Sequence, residues 1–309
     1  MEYVRCSLCG KDNFKYYAVR TKQGYPGTIK VQCKDCDLIY TNPRMTTNEL
    51  KDFYKNYYDK LAMDEIGFKN SVLKAKELNR DAIIDIQFYR KNILNYKESG
   101  KYLEIGGGLG FQAWIAQELG FDVFVTEYDP SSVIFAKENF NLNKYSLGDL
   151  EDIKYPDNTF DFISAWHCIE HVQDMEIFLE EVFRILKPGG VFYFATPNLG
   201  SYLYRAHRFL KLCTFSIPII VDGIEHTYGL SPKTAKLLCE KFGFEILDIH
   251  TFGQSKRKCA PPDLGTSTLM KDMKNLILGT SKRSTLIVKV LNHFLGSKLS
   301  AHVRKPEDQ

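Results

Sequence analysis

The sequence predicts an α/β chain, a doubly wound and largely parallel sheet preceded by a small metal-binding unit. Three observations carry that reading. From Lys101 onward, short apolar runs alternate with amphipathic helical segments; a glycine run, IGGGLG, follows the first of these runs; and two CxxC pairs fall within the first 44 residues. With 309 residues, 44% of them hydrophobic and 13% aromatic, the chain can bury the core of one large domain or two ordinary ones.

The first unit, residues 1–44, is turn-rich and closes on TNPR, a loop signal. Cys6 and Cys9 form one pair, Cys33 and Cys36 the other, with 23 residues between the pairs. Each pair suits a turn whose backbone amides point at the sulfurs, and four thiolates complete a tetrahedral structural zinc site with no coordination position left for chemistry. Cys168, Cys213, Cys239 and Cys259 have no paired spacing and read as small apolar residues. The opening MEYVRCSLCG lacks an apolar signal core and TFSIPIIV is far shorter than a membrane span, so a cytoplasmic protein with reduced thiols is expected.

Residues 45–98 carry helical periodicity and form a helical linker or cap; Tyr54, Tyr57 and Tyr58 there suit core packing or a cover over the ligand. KYLEI is then followed by FQAWIAQEL, DVFVTE by SSVIFAKENF, FDFISAW by MEIFLEEVFRIL, VFYFATP by SPKTAKLLCEKF, and EILDIHTF comes next. Strand alternating with helix implies parallel strands joined by right-handed crossovers. KLSAHVRK follows no compact helix and is expected antiparallel at the sheet edge. Residues 199–229 and 254–296 read as insertions in the domain that spans 99–309. Loops beyond the carboxyl ends of such strands build ligand sites, so both are candidate substrate walls. The second is basic: from Gln254 onward there are 11 Lys/Arg against 4 Asp/Glu, a net +7, which leaves −4 on the rest of a chain whose total is +3. That tail suits a solvated helical face, with phosphates or peripheral contact with an anionic membrane as alternatives.

The glycine spacing excludes two common ligands. A nicotinamide fingerprint needs glycine at 111, which is Phe; glycine falls instead at Gly106, Gly107, Gly108 and Gly110, and no GK[ST] follows. Glu104, two positions ahead of the run, would repel a pyrophosphate but can pair with an ammonium group. Glu127, twenty-one residues after Gly106, is placed to accept from both hydroxyls of a ribose. Asp129 and Pro130 read as N-cap and first helical residue. Asp149 closes the third strand and can accept from an exocyclic amine such as that of adenine. Ammonium, ribose and amino-base acceptors together describe S-adenosylmethionine.

LEIGGGLG, VTEYDPS, GDLED, FDFISAWHCIEHVQD and LKPGG, in this order, resemble the motifs of class I S-adenosylmethionine-dependent methyltransferases over roughly residues 100–305. The resemblance implies a Rossmann-like seven-stranded sheet with the last strand antiparallel. It places cofactor contacts on Glu104, Gly106, Gly108, Gly110, Glu127, Asp149, Leu150 and Trp166, with His167 beside the sulfonium methyl. Phe111, where smaller residues are usual, suggests a shifted helix start. CSLCG with CKDCDLIYTNPR resembles the zinc ribbon ahead of this domain in some bacterial proteins, including sugar methyltransferases.

Methyl transfer to an alcohol needs an aligned acceptor and a base. AWHCIEHVQD supplies His167, Glu170 and His171 within one turn, and IEHTYG adds His226. Histidine suits the base, while Glu170 and His171 equally suit bracing the loop. The HxxEH spacing with a distant His also resembles the ExxEH metal site of some quinone and small-RNA methyltransferases, so a second divalent ion on His167, Glu170, His171 and His226 is a further expectation. The [ND]PP[YF] signature of nucleobase amine acceptors is replaced by AWHC, and the long extra domain of sugar C-methyltransferases is not expected, because the 309 residues end soon after the last strand run. O-methylation of a sugar, glycan intermediate or other small molecule therefore leads. The competing readings are an RNA methyltransferase gripping phosphates with the ribbon and basic tail, and a catalytically silent cofactor-binding scaffold.

Overall fold

The computed structural model describes residues 1–17, 29–50, 70, 73, 76, 86–202, 205, 226–252 and 296–308. In chain order the elements are β1 (Phe14–Tyr16), β2 (Lys30–Cys33), β3 (Ile39–Thr41), α1 (Ile86–Leu94), β4 (Lys101–Ile105), α2 (Phe111–Glu118), β5 (Asp122–Glu127), α3 (Pro130–Phe140), β6 (Tyr145–Leu147) and α4 (Leu150–Ile153). They continue with β7 (Phe160–Trp166), α5 (Met175–Ile185), β8 (Leu186–Pro197), β9 (Tyr228–Gly229), α6 (Pro232–Lys241), β10 (Glu245–Phe252) and β11 (Lys298–Arg304). Tyr54, Tyr57, Tyr58 and most of both insertions lie outside the described residues.

Seven strands form one sheet in the order β10-β11-β8-β7-β4-β5-β6. The five strands from β6 to β8 are parallel, and β11 is antiparallel to both of its neighbours. The antiparallel direction agrees with the expectation from KLSAHVRK, but its place does not: β11 lies inside the sheet, between β8 and β10. Burial gives the reason. Residues Leu299–Val303 are all buried, whereas β10 is exposed or half-buried at every residue but Thr251 and takes the edge. LKPGG forms the bulged start of β8, where pairing with β7 shifts register between Phe160 and Phe162.

Side chains alternate between the two faces of the sheet, as strand geometry requires. Phe160, Ile163, Phe192 and Phe194 pack with Leu179 and Val182 of α5 and Leu238 of α6; Tyr102, Phe162, Val191 and Tyr193 pack with Tyr89, Trp114 and Phe140 of α1, α2 and α3. Each such large side chain taken fully out of water contributes roughly 1.5–3 kcal/mol. The helices start where local chemistry dictates: Asp129 accepts from the Ser131 and Ser132 amides ahead of Pro130, Asp174 caps α5, and Ser231 forms a capping box with Thr234.

A second sheet, β1-β2-β3-β9, joins the N-terminal unit to the long insertion. Tyr40 pairs with Tyr228, and the Thr41 amide donates to the Thr227 carbonyl at 2.9 Å. The Arg44 guanidinium donates to the Gln173 carbonyl and to the Tyr228 hydroxyl. Cys6, Cys33 and Cys36 belong to the same apolar cluster as Phe192 and Leu238, so the two units share one core. Among the described residues, no helix is long and apolar enough to cross a membrane.

Candidate active site

The carboxyl end of β4 runs straight into the glycine loop. Gly106, Gly108 and Gly110 have φ of 66°, 51° and 78°, and Gly110 is the N-cap of α2, which starts at Phe111 without a shift. Gly108 has open space where a side chain would begin, so backbone conformation alone demands glycine there and leaves its face clear for a ligand. Glu104 is buried, 3% exposed, and flanked by Val125 and Ser164 on the neighbouring strands. Burial raises its carboxyl, against the pull of the Ala113 amide and with Glu127 adding to the rise, to about 8. Its Oε2 has no hydrogen-bond partner. An uncompensated buried oxygen at the mouth of the loop is a ready acceptor for an ammonium.

Glu127 is placed as expected but is already occupied in part. Its Oε2 accepts from the Gly108 amide at 2.6 Å, and its Oε1 from the Tyr128 and Asp129 amides at 2.7 and 3.1 Å. Each oxygen keeps acceptor capacity, so the carboxylate can pin the loop and still receive a hydroxyl. Asp149 precedes α4 without capping it, and its carboxylate meets the Tyr128 hydroxyl. Leu150 is buried beneath. Trp166 is half-buried among Tyr89, Phe88 and Phe252, with ring centroids 5.0, 5.8 and 6.2 Å away.

The turn after β7 carries the remaining candidates. His167 has a φ of 51° and its amide donates to the Ala195 carbonyl. Its Nδ1 lies 3.0 Å from Glu170 Oε1, and its Nε2 lies 2.9 Å from Lys298 Nζ. Glu170 is buried, 1% exposed. Burial would raise its carboxyl, but the His167 hydrogen bond and the neighbouring His171, His167 and His226 hold it at about 2. The His171 and His226 rings meet edge to face at 4.6 Å. The turn abuts the glycine loop, since a Cβ on Gly106 would come within 3.0 Å of Cys168 Sγ. His167, Glu170, His171 and His226 are therefore neighbours, but the ring nitrogens of His167 are engaged by Glu170 and Lys298, and only Glu170, His171 and His226 bring donor atoms within 4.8 Å of one another.

Residues 77–249 match the family model described as Methyltransferase domain. The chain belongs to this family. A probable S-adenosylmethionine-dependent methyltransferase of Mycolicibacterium smegmatis is 30% identical over 47% of this chain and 52% of its own length. A malonyl-[acyl-carrier protein] O-methyltransferase of Serratia marcescens is 25% identical over 56% of this chain and 62% of its own. The chain thus spans between half and two thirds of the length of these relatives. A solved Haemonchus contortus phosphoethanolamine N-methyltransferase 2, in complex with S-adenosyl-L-methionine, shares the fold at a TM-score of 0.52 and 16% identity, over 95% of this chain and 68% of its own.

Outside the matched segment of this methyltransferase-family chain, one Sγ from each of Cys6, Cys9, Cys33 and Cys36 lies within 4.8 Å of the other three. Cys6–Cys36 and Cys9–Cys33 stand 3.4 and 3.5 Å apart, near the sulfur spacing of roughly 3.8 Å that a tetrahedral ion with bonds of about 2.3 Å imposes. Burial pushes the Cys6 thiol up to about 11, against the pull of the Cys9 and Leu8 amides. At Cys33 burial is outweighed by the Cys36 and Asp35 amides and the thiol is lowered. These are the amides that the CxxC turns were expected to aim at the sulfurs, and the donor set fits zinc. Lys298 is the functional candidate that the sequence does not reveal. It opens β11, and only the register Lys298–Pro197 brings it to His167 and over the Trp166 ring at 5.7 Å.

Proposed function

We propose that this chain is a methyltransferase that binds S-adenosylmethionine across the carboxyl ends of β4, β5 and β6 and methylates an oxygen of a small-molecule acceptor, a sugar, glycan intermediate or similar hydroxyl compound. When bound, the cofactor supplies an electrophilic methyl on a cationic sulfur. Glu104 receives the ammonium on its unpartnered oxygen, Glu127 the ribose hydroxyls and Asp149 the adenine amine, while Gly106, Gly108 and Gly110 leave room for the chain of the ligand. Leu150 and Trp166 provide apolar walls. Zinc on the four cysteines holds the N-terminal unit.

The observation that carries the choice of oxygen is the Glu170–His167 pair. A buried carboxylate on Nδ1 fixes the imidazole tautomer with its lone pair on Nε2, the arrangement that lets histidine take a proton. Names of relatives span oxygen, carbon and nitrogen acceptors, and a hydroxyl is the acceptor that most needs such a base. An acceptor hydroxyl that replaces the Lys298 ammonium at Nε2 would surrender its proton there. A nucleic-acid acceptor is disfavoured because Lys11 pairs with Asp35 and the Lys30 ammonium donates to the His226 carbonyl, so these ribbon cations already have partners.

Mass spectrometry of nucleotide sugars and glycan intermediates incubated with the full chain and S-adenosylmethionine tests the proposal. The expected result is one added methyl group on a hydroxyl, lost in His167→Ala. Methylation of RNA only, of nitrogen only, or cofactor binding without turnover on any acceptor would overturn it.

A further inference from the structure

Lys30, in the N-terminal unit, is 4% exposed, although lysine is among the residue types least often buried, and its ammonium donates to the carbonyl of His226. Taking an ammonium out of water is costly, so a lysine kept there is expected to do what an apolar side chain of the same shape would not. We propose that Lys30 is a positioning residue of the acceptor end. By holding the His226 carbonyl it fixes the His226 imidazole against the turn that carries His167, Glu170 and His171, and so sets how tightly the acceptor is held.

Contacts from both sides converge on this point. The Thr41 hydroxyl donates to the same His226 carbonyl at 3.3 Å, and the Thr41 amide donates to the Thr227 carbonyl at 2.9 Å. Tyr40 and Ile39 then pair with Tyr228 and Gly229. From the opposite side, the Tyr228 amide donates to the Glu170 carbonyl at 3.1 Å, and the His171 amide to the Cys168 carbonyl at 2.8 Å. The backbone of His226 is thereby tied to the turn, and its ring meets that of His171 edge to face at 4.6 Å. Lys30 and Thr41 also terminate the hairpin that the cysteines anchor. Strand β2 runs from Lys30 to Cys33, roughly 10 Å along the strand, and β3 follows Cys36 and ends on Thr41. One end of the hairpin thus lies in the cysteine cluster and the other holds His226, which gives the N-terminal unit a part in acceptor binding. His167 is held separately by Glu170 and Lys298, so loss of Lys30 is expected to loosen the acceptor and spare proton transfer.

The acceptor role rests on the function proposed above; the coupling of Lys30 to the two histidines does not. Histidine-selective 13C NMR of the zinc-loaded full chain tests the coupling, with the His171 and His226 ring signals assigned by their loss in His171→Ala and His226→Ala. Lys30→Met, of similar length without the charge, is expected to move both signals and leave those of His250 and His302 in place, with S-adenosylmethionine affinity within about threefold of wild type. Thr41→Val, of the same shape as threonine, is expected to move them by less, and it decides the matter if Lys30→Met fails to fold. Lys30→Arg, which keeps a cationic donor, is expected to recover the wild-type positions in part. In the methyl-transfer assay, Lys30→Met is expected to raise the acceptor KM about tenfold with kcat within about threefold. Ring signals that stay in place in both Lys30→Met and Thr41→Val, or a fall in kcat with KM unchanged, overturn the inference. Absence of transfer to any hydroxyl by the wild-type chain, with the histidine signals moving as predicted, would sink the function alone.

Discussion

The two ends of the site are built in opposite ways. At the proposed cofactor end, Glu104, the glycines, Glu127, Asp149 and Leu150 all fall within residues 104–150, each at or just past the end of a parallel strand, so the sheet aligns them automatically. The acceptor end draws His167, Glu170 and His171 from one turn, His226 from an insertion, Lys298 from the last strand, and Lys30 and Thr41 from the N-terminal unit. The first end is local and repeats a strand-loop-helix rule; the second is assembled by contacts between distant segments. The difference implies that the two ends can be damaged separately.

The largest separation is expected from Cys33→Ser. Loss of one thiolate weakens the proposed zinc site, whose binding energy would be folding energy, at an expected cost of about 4 kcal/mol or more and a drop of about 10 °C in Tm. Differential scanning calorimetry reads that drop, and calorimetric titration should find S-adenosylmethionine affinity within about threefold of wild type. Parallel loss of cofactor binding would break the contrast. Next comes His167→Ala, for which removal of a general base predicts turnover reduced about 100-fold or more with cofactor affinity unchanged. Lys298→Met sharpens the same division: it removes the ammonium that the acceptor hydroxyl must displace from His167 Nε2, so turnover no slower than wild type is expected, again with normal cofactor binding. Gly108→Ala acts at the other end. Forcing a side chain into a φ of 51° costs about 1–2 kcal/mol, which chemical denaturation would read, and cofactor affinity should fall with it.

The same contrast explains what the sequence discloses. The glycine spacing, the acid two residues before it and the acid closing the next strand are short-range signals, and the fold gathers them around one loop. The Asp129 cap and the convergence of the four cysteines were equally legible. What was hidden depends on register and strand order. KLSAHVRK shows its direction by lacking a preceding helix, but nothing local reveals that β10, not β11, takes the edge, and hence that Lys298 reaches His167. HxxEH suggests a shared role for its three residues; only side-chain geometry shows that His167 bridges Glu170 and Lys298 while His171 turns to His226. Glu127 appeared as a ribose acceptor, and its second duty, holding the Gly108 amide, follows from a loop conformation that spacing does not specify.

The central claim is that buried Glu104, whose Oε2 has no hydrogen-bond partner, receives the ammonium of S-adenosylmethionine. In the free protein its carboxyl is raised to about 8, so the protonated form is favoured through neutral pH. Raised above its ordinary value of 4.5, the group makes the cofactor-free fold lose stability as pH rises from that value through about 8. An ammonium needs the ionised form, so cofactor binding must release that proton, and affinity must climb with pH below about 8 by up to tenfold per unit. Isothermal titration of S-adenosylmethionine into the full chain between pH 6 and pH 8 tests this directly. The account predicts one equivalent bound, tighter toward pH 8 with net proton release, and in Glu104→Gln a loss of that pH slope with about 10- to 100-fold weaker binding at pH 8. Absence of binding, or a pH slope and affinity that Glu104→Gln leaves intact, would contradict it.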